Sequence, residues 1–94
     1  MKDTHRQQAR ARVTELVARL KAATPADGLD ALVEETEALG RAIDAFHLEA
    51  IRFRMFNVER QLRMLPGGAP EEATGLFATI REHLEAAGFH TRSH

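Results

Sequence analysis

Apolar residues recur at spacings of three and four along most of the chain, which is the period of an α-helix. The longest such run, from Leu29 to Leu65, contains no proline and a single glycine. As one helix it would span roughly 55 Å at 1.5 Å rise per residue. Proline-containing breaks precede and follow it, at Thr24-Pro25 and at segment 66–70. The pattern predicts an all-α fold with a long central helix, its three helices covering about 3–23, 29–65 and 70–87.

The sequence signals for the ends of these helices differ in strength. The second helix begins either at Pro25, with Thr24 as its N-cap, or only at Leu29. The last helix has a clearer end, because Gly88 suits the left-handed position of a Schellman motif and Phe89 follows it. We therefore predict one helical domain, 1–89, and a flexible C-terminal tail, 90–94.

The apolar residues of the long run separate into two stripes when they are placed at about 100° per residue. The first stripe consists of Leu32, Leu39, Ile43, Phe46, Ala50 and Phe53, continued by Asn57 and Met64. The second consists of Leu48, Ile51, Met55, Val58, Leu62 and Leu65. A helix that is apolar on two faces needs two partners, so we expect an antiparallel bundle in which each outer helix covers one half of it.

Three helices in this arrangement leave apolar surface open at the middle of the long helix, so we expect a homodimer in which two long helices pack together. The predicted interface consists of Phe46, Ala50, Phe53, Met55, Phe56 and Asn57, with Asn57 setting the register as in a coiled coil. The alternative is a compact monomeric three-helix bundle. In that case the long helix breaks near Gly40, where glycine costs about 1 kcal/mol in a helix interior.

Charge changes this picture by its distribution, since the net charge is only −1. Residues 1–24 carry six Lys/Arg and two Asp/Glu, whereas residues 25–49 carry seven Asp/Glu and one Arg. Residues 50–65 carry four Arg and one Glu, and residues 66–94 carry four Glu and two Arg. The alternation favours pairing between neighbouring helices over binding of nucleic acid, which stays as the weaker alternative.

Reactive groups are scarce in the sequence. It has no Cys or Tyr, its only serine is Ser93, and Gly67-Gly68 lacks the Lys-Ser/Thr of a phosphate loop. We therefore expect no catalysis and no cofactor. The chain shows no signal peptide and no apolar run approaching the ~18 residues of a membrane span. A cytoplasmic protein without membrane contact is the resulting prediction.

One polar group in the long run is a candidate ligand site. Asp44 and His47 lie one helical turn apart, with Arg54 two turns further on, a set that could hold a small anion or a metal ion. A half-buried polar network that fixes helix register explains the same residues. No Glu-x-x-His motif is present, so we predict no metal centre. The favoured function is a helical protein-interaction or regulatory module acting as a homodimer, which could also bind another protein. The alternative is a small-ligand- or metal-binding bundle.

Overall fold

The computed structural model describes residues 4–91. Over this range the chain is helical without strands, and its helices are α1 (Thr4–Ala22), α2 (Leu29–Asp44), α3 (Leu48–Met64) and α4 (Glu71–Ala86). The predicted all-α class is confirmed. The predicted count of three helices is wrong, because the segment expected to form one long helix forms both α2 and α3. Residue 3, the first of the predicted first helix, lies outside the described residues.

The long predicted helix ends at Asp44 in a Schellman motif. Phe46 has a φ of 57°, and its N–H donates to the carbonyl of Ile43 at 3.2 Å. The N–H of His47 donates to the carbonyl of Ala42 at 3.1 Å. These are the two bonds that close a Schellman ending, in which glycine usually holds the left-handed position. Here phenylalanine holds it, which is why the sequence carries no obvious sign of the break.

The turn leads directly into α3, because His47 also caps that helix. Its Nδ1 accepts a hydrogen bond from the N–H of Ala50 at 3.2 Å. The alternative break near Gly40 is wrong as well, since Gly40 is buried inside α2. A Cβ at that position would lie 2.7 Å from Nη1 of Arg10 on α1. Glycine at this point leaves room for the arginine rather than ending the helix.

The helices alternate in direction, and α1 lies between α2 and α4 while α3 packs against α2. Ion pairs join α1 to the acidic helix α2, as the charge pattern predicts: Arg10–Asp44 at 3.0 Å and Lys21–Glu37 at 3.5 Å. The acidic helix α4 also pairs with α1, through Arg19 and Glu72 at 3.6 Å. The charge pattern also predicts that acidic side chains of α4 pair with arginines of α3. The observed ion pair between these two helices has the opposite sense, because Arg81 of α4 binds Glu59 of α3.

One core of apolar side chains receives residues from every helix. In α2 the residues of the first stripe are buried, namely Leu32, Leu39 and Ile43. In α3 four residues of the second stripe are buried, namely Ile51, Met55, Val58 and Leu62, whereas Leu48 at the start of the helix is exposed. The turn between the helices reorients the chain so that each stripe faces the same core. On a straight helix the two stripes would require two packing partners. Because the helix is broken, both stripes pack into one core.

The chain after α4 returns to the core. Phe89 packs against it, and Thr91 is only 2% exposed. The Oγ1 of Thr91 accepts from Nη1 of Arg81 at 2.9 Å. The predicted tail begins at residue 90, so its first two positions are seen here, and residues 92–94 lie outside the described range. No helix in residues 4–91 combines the length and the apolar character that crossing a bilayer requires.

Candidate interaction surface

The three residues predicted to form a ligand site bind three different partners. The Asp44 carboxylate accepts from Nε of Arg10 at 3.0 and 3.1 Å. His47 caps α3 through Nδ1, and Arg54 donates from Nη1 to Glu35 at 2.9 Å. The helix ends between Asp44 and His47. The prediction that they lie one helical turn apart on the same helix therefore does not apply. Within the described residues, no three His, Cys, Asp or Glu side chains gather in a way that could hold a metal ion.

Arg54 instead belongs to a half-buried cluster centred on Glu35, a residue that the sequence pattern did not single out. Glu35 Oε2 accepts from Nη1 of Arg54 at 2.9 Å and from Nδ2 of Asn57 at 3.0 Å. The Glu35 side chain is 14% exposed. The cluster joins α2 to α3 inside one protomer. The only signal for it in the sequence is the pairing of an acidic block with a basic one.

The large apolar side chains that stay exposed are confined to one part of the described chain. They are Phe46, Leu48, Phe53, Phe56 and Met64. Of these, Phe53 is 57% exposed, Phe56 is 45% exposed and Met64 is 68% exposed. All three belong to α3. These side chains are not part of the core, so they give the surface of α3 an apolar patch.

The outer face of α3 is defined here by five residues: Glu49, Phe53, Phe56, Arg60 and Met64. At 100° per residue they fall within an arc of about 80°, roughly 170° from the centre of the buried stripe of the same helix. Every one of them is exposed. A helix with a buried apolar stripe on one side and an exposed apolar stripe on the opposite side has a second surface to cover.

Of the residues predicted for the dimer interface, only some lie on the exposed outer face of α3. Phe53 and Phe56 lie on the outer face, whereas Met55 is fully buried in the protomer and has no surface to offer a second copy. Ala50 is half-buried against the core, and Asn57 is bound to Glu35. Phe46 is exposed but lies under the guanidinium of Arg6, 4.1 Å from its ring centroid.

A shallow groove continues the outer face at the C-terminal end of α3. It has a volume of about 340 Å³, and Met64 and Arg60 form one wall. Ala31 and Gly28 of the α2 side form the opposite wall. An apolar side chain of a partner helix could enter it beside Met64. The outer face and the groove together form one continuous surface.

The outer face combines three large apolar side chains with one carboxylate and one guanidinium. Such a set suits the binding of another helix by apolar contact and ion pairing. The guanidinium of Arg54 lies 5.3 Å from the ring centroid of Phe53 and covers one edge of the face.

Comparison of the chain with protein-family models, with curated proteins and with solved structures gives no match.

Proposed function

We propose that the chain is a small helical interaction module that works as a homodimer joined through the outer face of α3. The observation that carries the proposal is the exposure of Phe53, Phe56 and Met64 on the side of α3 opposite its buried stripe. The proposed role includes no catalysis. The absence of Cys from the sequence suits a reducing compartment, so the cytoplasm is the proposed location.

The energetics favour association through this face. Full burial of a Phe or Met side chain contributes about 1.5–3 kcal/mol, and a two-fold axis doubles the number of side chains that become buried. The loss of translational and rotational freedom on association costs an estimated 4–15 kcal/mol. Six partly exposed side chains, three from each copy, are therefore of the right size to offset that cost.

The charges on the outer face, together with Arg63 at its edge, favour a second copy of the chain as the partner. In an antiparallel pair with its axis beside Phe56, Phe53 lies opposite Arg60 of the partner subunit, and Glu49 lies next to Arg63 of the partner subunit. The first contact is a cation–π interaction and the second an ion pair. Each contact occurs twice by symmetry, and the dipoles of the two helices oppose one another. The face is thus complementary to itself.

Sedimentation of the unmodified protein and of Phe56→Asp tests the proposal. We expect a dimer at tens of micromolar for the unmodified chain and a monomer for Phe56→Asp, because the new carboxylate would be buried without a partner. Ala78→Asp, at an exposed position of α4, is the matched control and stays dimeric. Circular dichroism should show that both variants keep their helix content. A monomeric unmodified chain, or a dimer that survives Phe56→Asp, contradicts the proposal.

A charge exchange tests the antiparallel arrangement. Glu49→Arg and Arg63→Glu should each weaken the dimer, because each places like charges next to one another across the axis. The double variant restores opposite charges and should recover the affinity. In a parallel pair the two positions are far apart, so the double variant would be no better than the sum of the single ones. That result would reject the antiparallel arrangement and leave the dimer itself standing.

A further inference from the structure

Two histidines from different helices meet at the seam between α1 and α4. His5 lies in the first turn of α1 and His83 in the last turn of α4. Their Nδ1 atoms are 3.2 Å apart and form a hydrogen bond, in which one ring donates and the other accepts according to the tautomer of each. The ring centroids are 5.4 Å apart and the ring planes are inclined by 32°. The pair is on the surface, on helices that do not carry the proposed dimer face.

The separation of the two nitrogens matches the distance between ligands of a metal ion. Zinc binds imidazole nitrogen at about 2.0–2.1 Å with tetrahedral angles, so two such nitrogens lie about 3.3–3.4 Å apart around the same ion. The observed 3.2 Å is close to that value. A neutral imidazole that carries its proton on Nε2 presents a free lone pair at Nδ1. Both rings can adopt that tautomer at once when a cation lies between them.

We propose that His5 and His83 form a two-histidine site for a divalent transition-metal ion, with Zn²⁺ as the natural probe. Imidazole nitrogen selects such ions over Mg²⁺ and Ca²⁺, which prefer oxygen ligands. Among the described residues no third His, Cys, Asp or Glu joins the pair. Water therefore completes the coordination. Binding is open and exchangeable, unlike that of a closed structural zinc site.

A metal ion at this position would tie the start of α1 to the end of α4. Helix ends are the parts of a helix that open most readily, and α1 packs against both α2 and α4. Holding its first turn therefore stabilises the contacts of a central helix. Stability rises with metal concentration by mass action, because the unfolded chain does not hold the two histidines together.

The test is a titration of the tag-free chain with Zn²⁺, followed by calorimetry and by thermal unfolding. The variants are His5→Gln and His83→Gln, and His90→Gln is the control because His90 is an exposed histidine outside the pair. We expect one Zn²⁺ per chain and a melting temperature that rises with zinc. Either variant of the pair should lose both effects, while His90→Gln keeps them.

Several outcomes would overturn the proposal. One is saturable binding that persists in both His5→Gln and His83→Gln, which would place the ion elsewhere. Another is loss of binding in His90→Gln, and a third is no saturable binding to the unmodified chain. Circular dichroism without metal shows that the variants are folded. The monomeric Phe56→Asp variant should bind zinc normally, so failure of this proposal and failure of the dimer are distinguishable.

Discussion

At the residue scale, the same helix ending occurs twice with different residues in the left-handed position. At the end of α4 that residue is Gly88, whose φ is 96°. Its N–H donates to Glu85 at 3.0 Å, and the N–H of Phe89 donates to Leu84 at 2.9 Å. This ending was predicted from the sequence and is confirmed, because glycine is its usual sign. At the end of α2 the residue is Phe46, and no local signal distinguishes it from a helical phenylalanine.

A comparison of alanine with glycine at position 46 measures the cost of this backbone. Neither Phe46→Ala nor Phe46→Gly keeps the ring under Arg6, so the two differ only by a Cβ. In the left-handed region a Cβ costs about 1–2 kcal/mol. We expect the glycine variant to be more stable than the alanine variant by about 1 kcal/mol in urea unfolding. This reverses their order inside a helix.

Gly88→Ala is the matched control, because the same Cβ is added at the corresponding position of α4. It should destabilise the chain by a similar amount, about 1 kcal/mol. If Phe46→Ala is instead more stable than Phe46→Gly, as it would be inside a helix, the residue is helical. The long run would then be continuous through this point, as first predicted from its sequence.

At the element scale, prolines and glycines determine how much of the fold can be predicted. The first and last helices were predicted at about 3–23 and 70–87, and they are observed at Thr4–Ala22 and Glu71–Ala86. The run between them has no proline and only Gly40 as a possible break, and Gly40 is helical. The break at Ala45–His47 results from tertiary packing. The change from one apolar stripe to the other was its trace in the sequence, and a straight helix explained that change equally well.

Chemical cross-linking distinguishes a hairpin of α2 and α3 from one long helix. Ala31 and Gln61 line the same groove, whereas in a continuous helix they would be about 45 Å apart. The sequence has no Cys, so Ala31→Cys with Gln61→Cys creates the only thiols. A short bismaleimide should join them within one chain, giving a product with the mass of a single cross-linked monomer.

The control for this experiment is Ala31→Cys with Glu49→Cys. Glu49 lies in the first turn of α3, next to the turn and at the opposite end of the hairpin from Ala31. This pair should give no intramolecular product with the same reagent. Equal yields from the two pairs, or none from Ala31→Cys with Gln61→Cys, would contradict the antiparallel hairpin.

At the scale of the whole molecule, the break between α2 and α3 changes which residues are available for function. With a straight helix, Asp44, His47 and Arg54 lie close together and Met55 faces a second copy. With a broken helix the first three separate to different partners and Met55 enters the core. Phe53 and Phe56, two residues of the predicted interface, are exposed on the protomer. Their place on the helix depends on local period alone, so sequence predicts it, whereas contacts across the turn require the position of the break.

The link between α3 and α4 depends on a buried arginine. The main helix contacts join α1 with α4, α2 with α3 and α1 with α2, so these two helices share little direct packing. Arg81 is 7% exposed. Its Nη2 donates to Oε1 of Glu59 on α3 at 3.1 Å, and its Nη1 donates to Thr91 at 2.9 and 3.2 Å. One guanidinium thus connects α3, α4 and the chain that follows α4.

Replacement of this arginine should weaken the whole molecule more than loss of one ion pair at the surface. We expect Arg81→Met to lower the free energy of unfolding by about 2 kcal/mol, because it leaves buried oxygen atoms of Thr91 without a donor. Glu59 is 42% exposed and can return to water, which keeps the cost below that of a fully buried pair.

Arg63→Met is the matched control, since Arg63 binds the same Glu59 at 3.6 Å but is 65% exposed. Its effect should stay below about 0.5 kcal/mol, as is usual for an exposed pair four residues apart on a helix. Both variants should be unfolded in urea in the Phe56→Asp background, so that the proposed dimer does not contribute. Equal losses of stability for the two variants would mean that burial adds nothing to the contribution of Arg81, and would contradict the prediction.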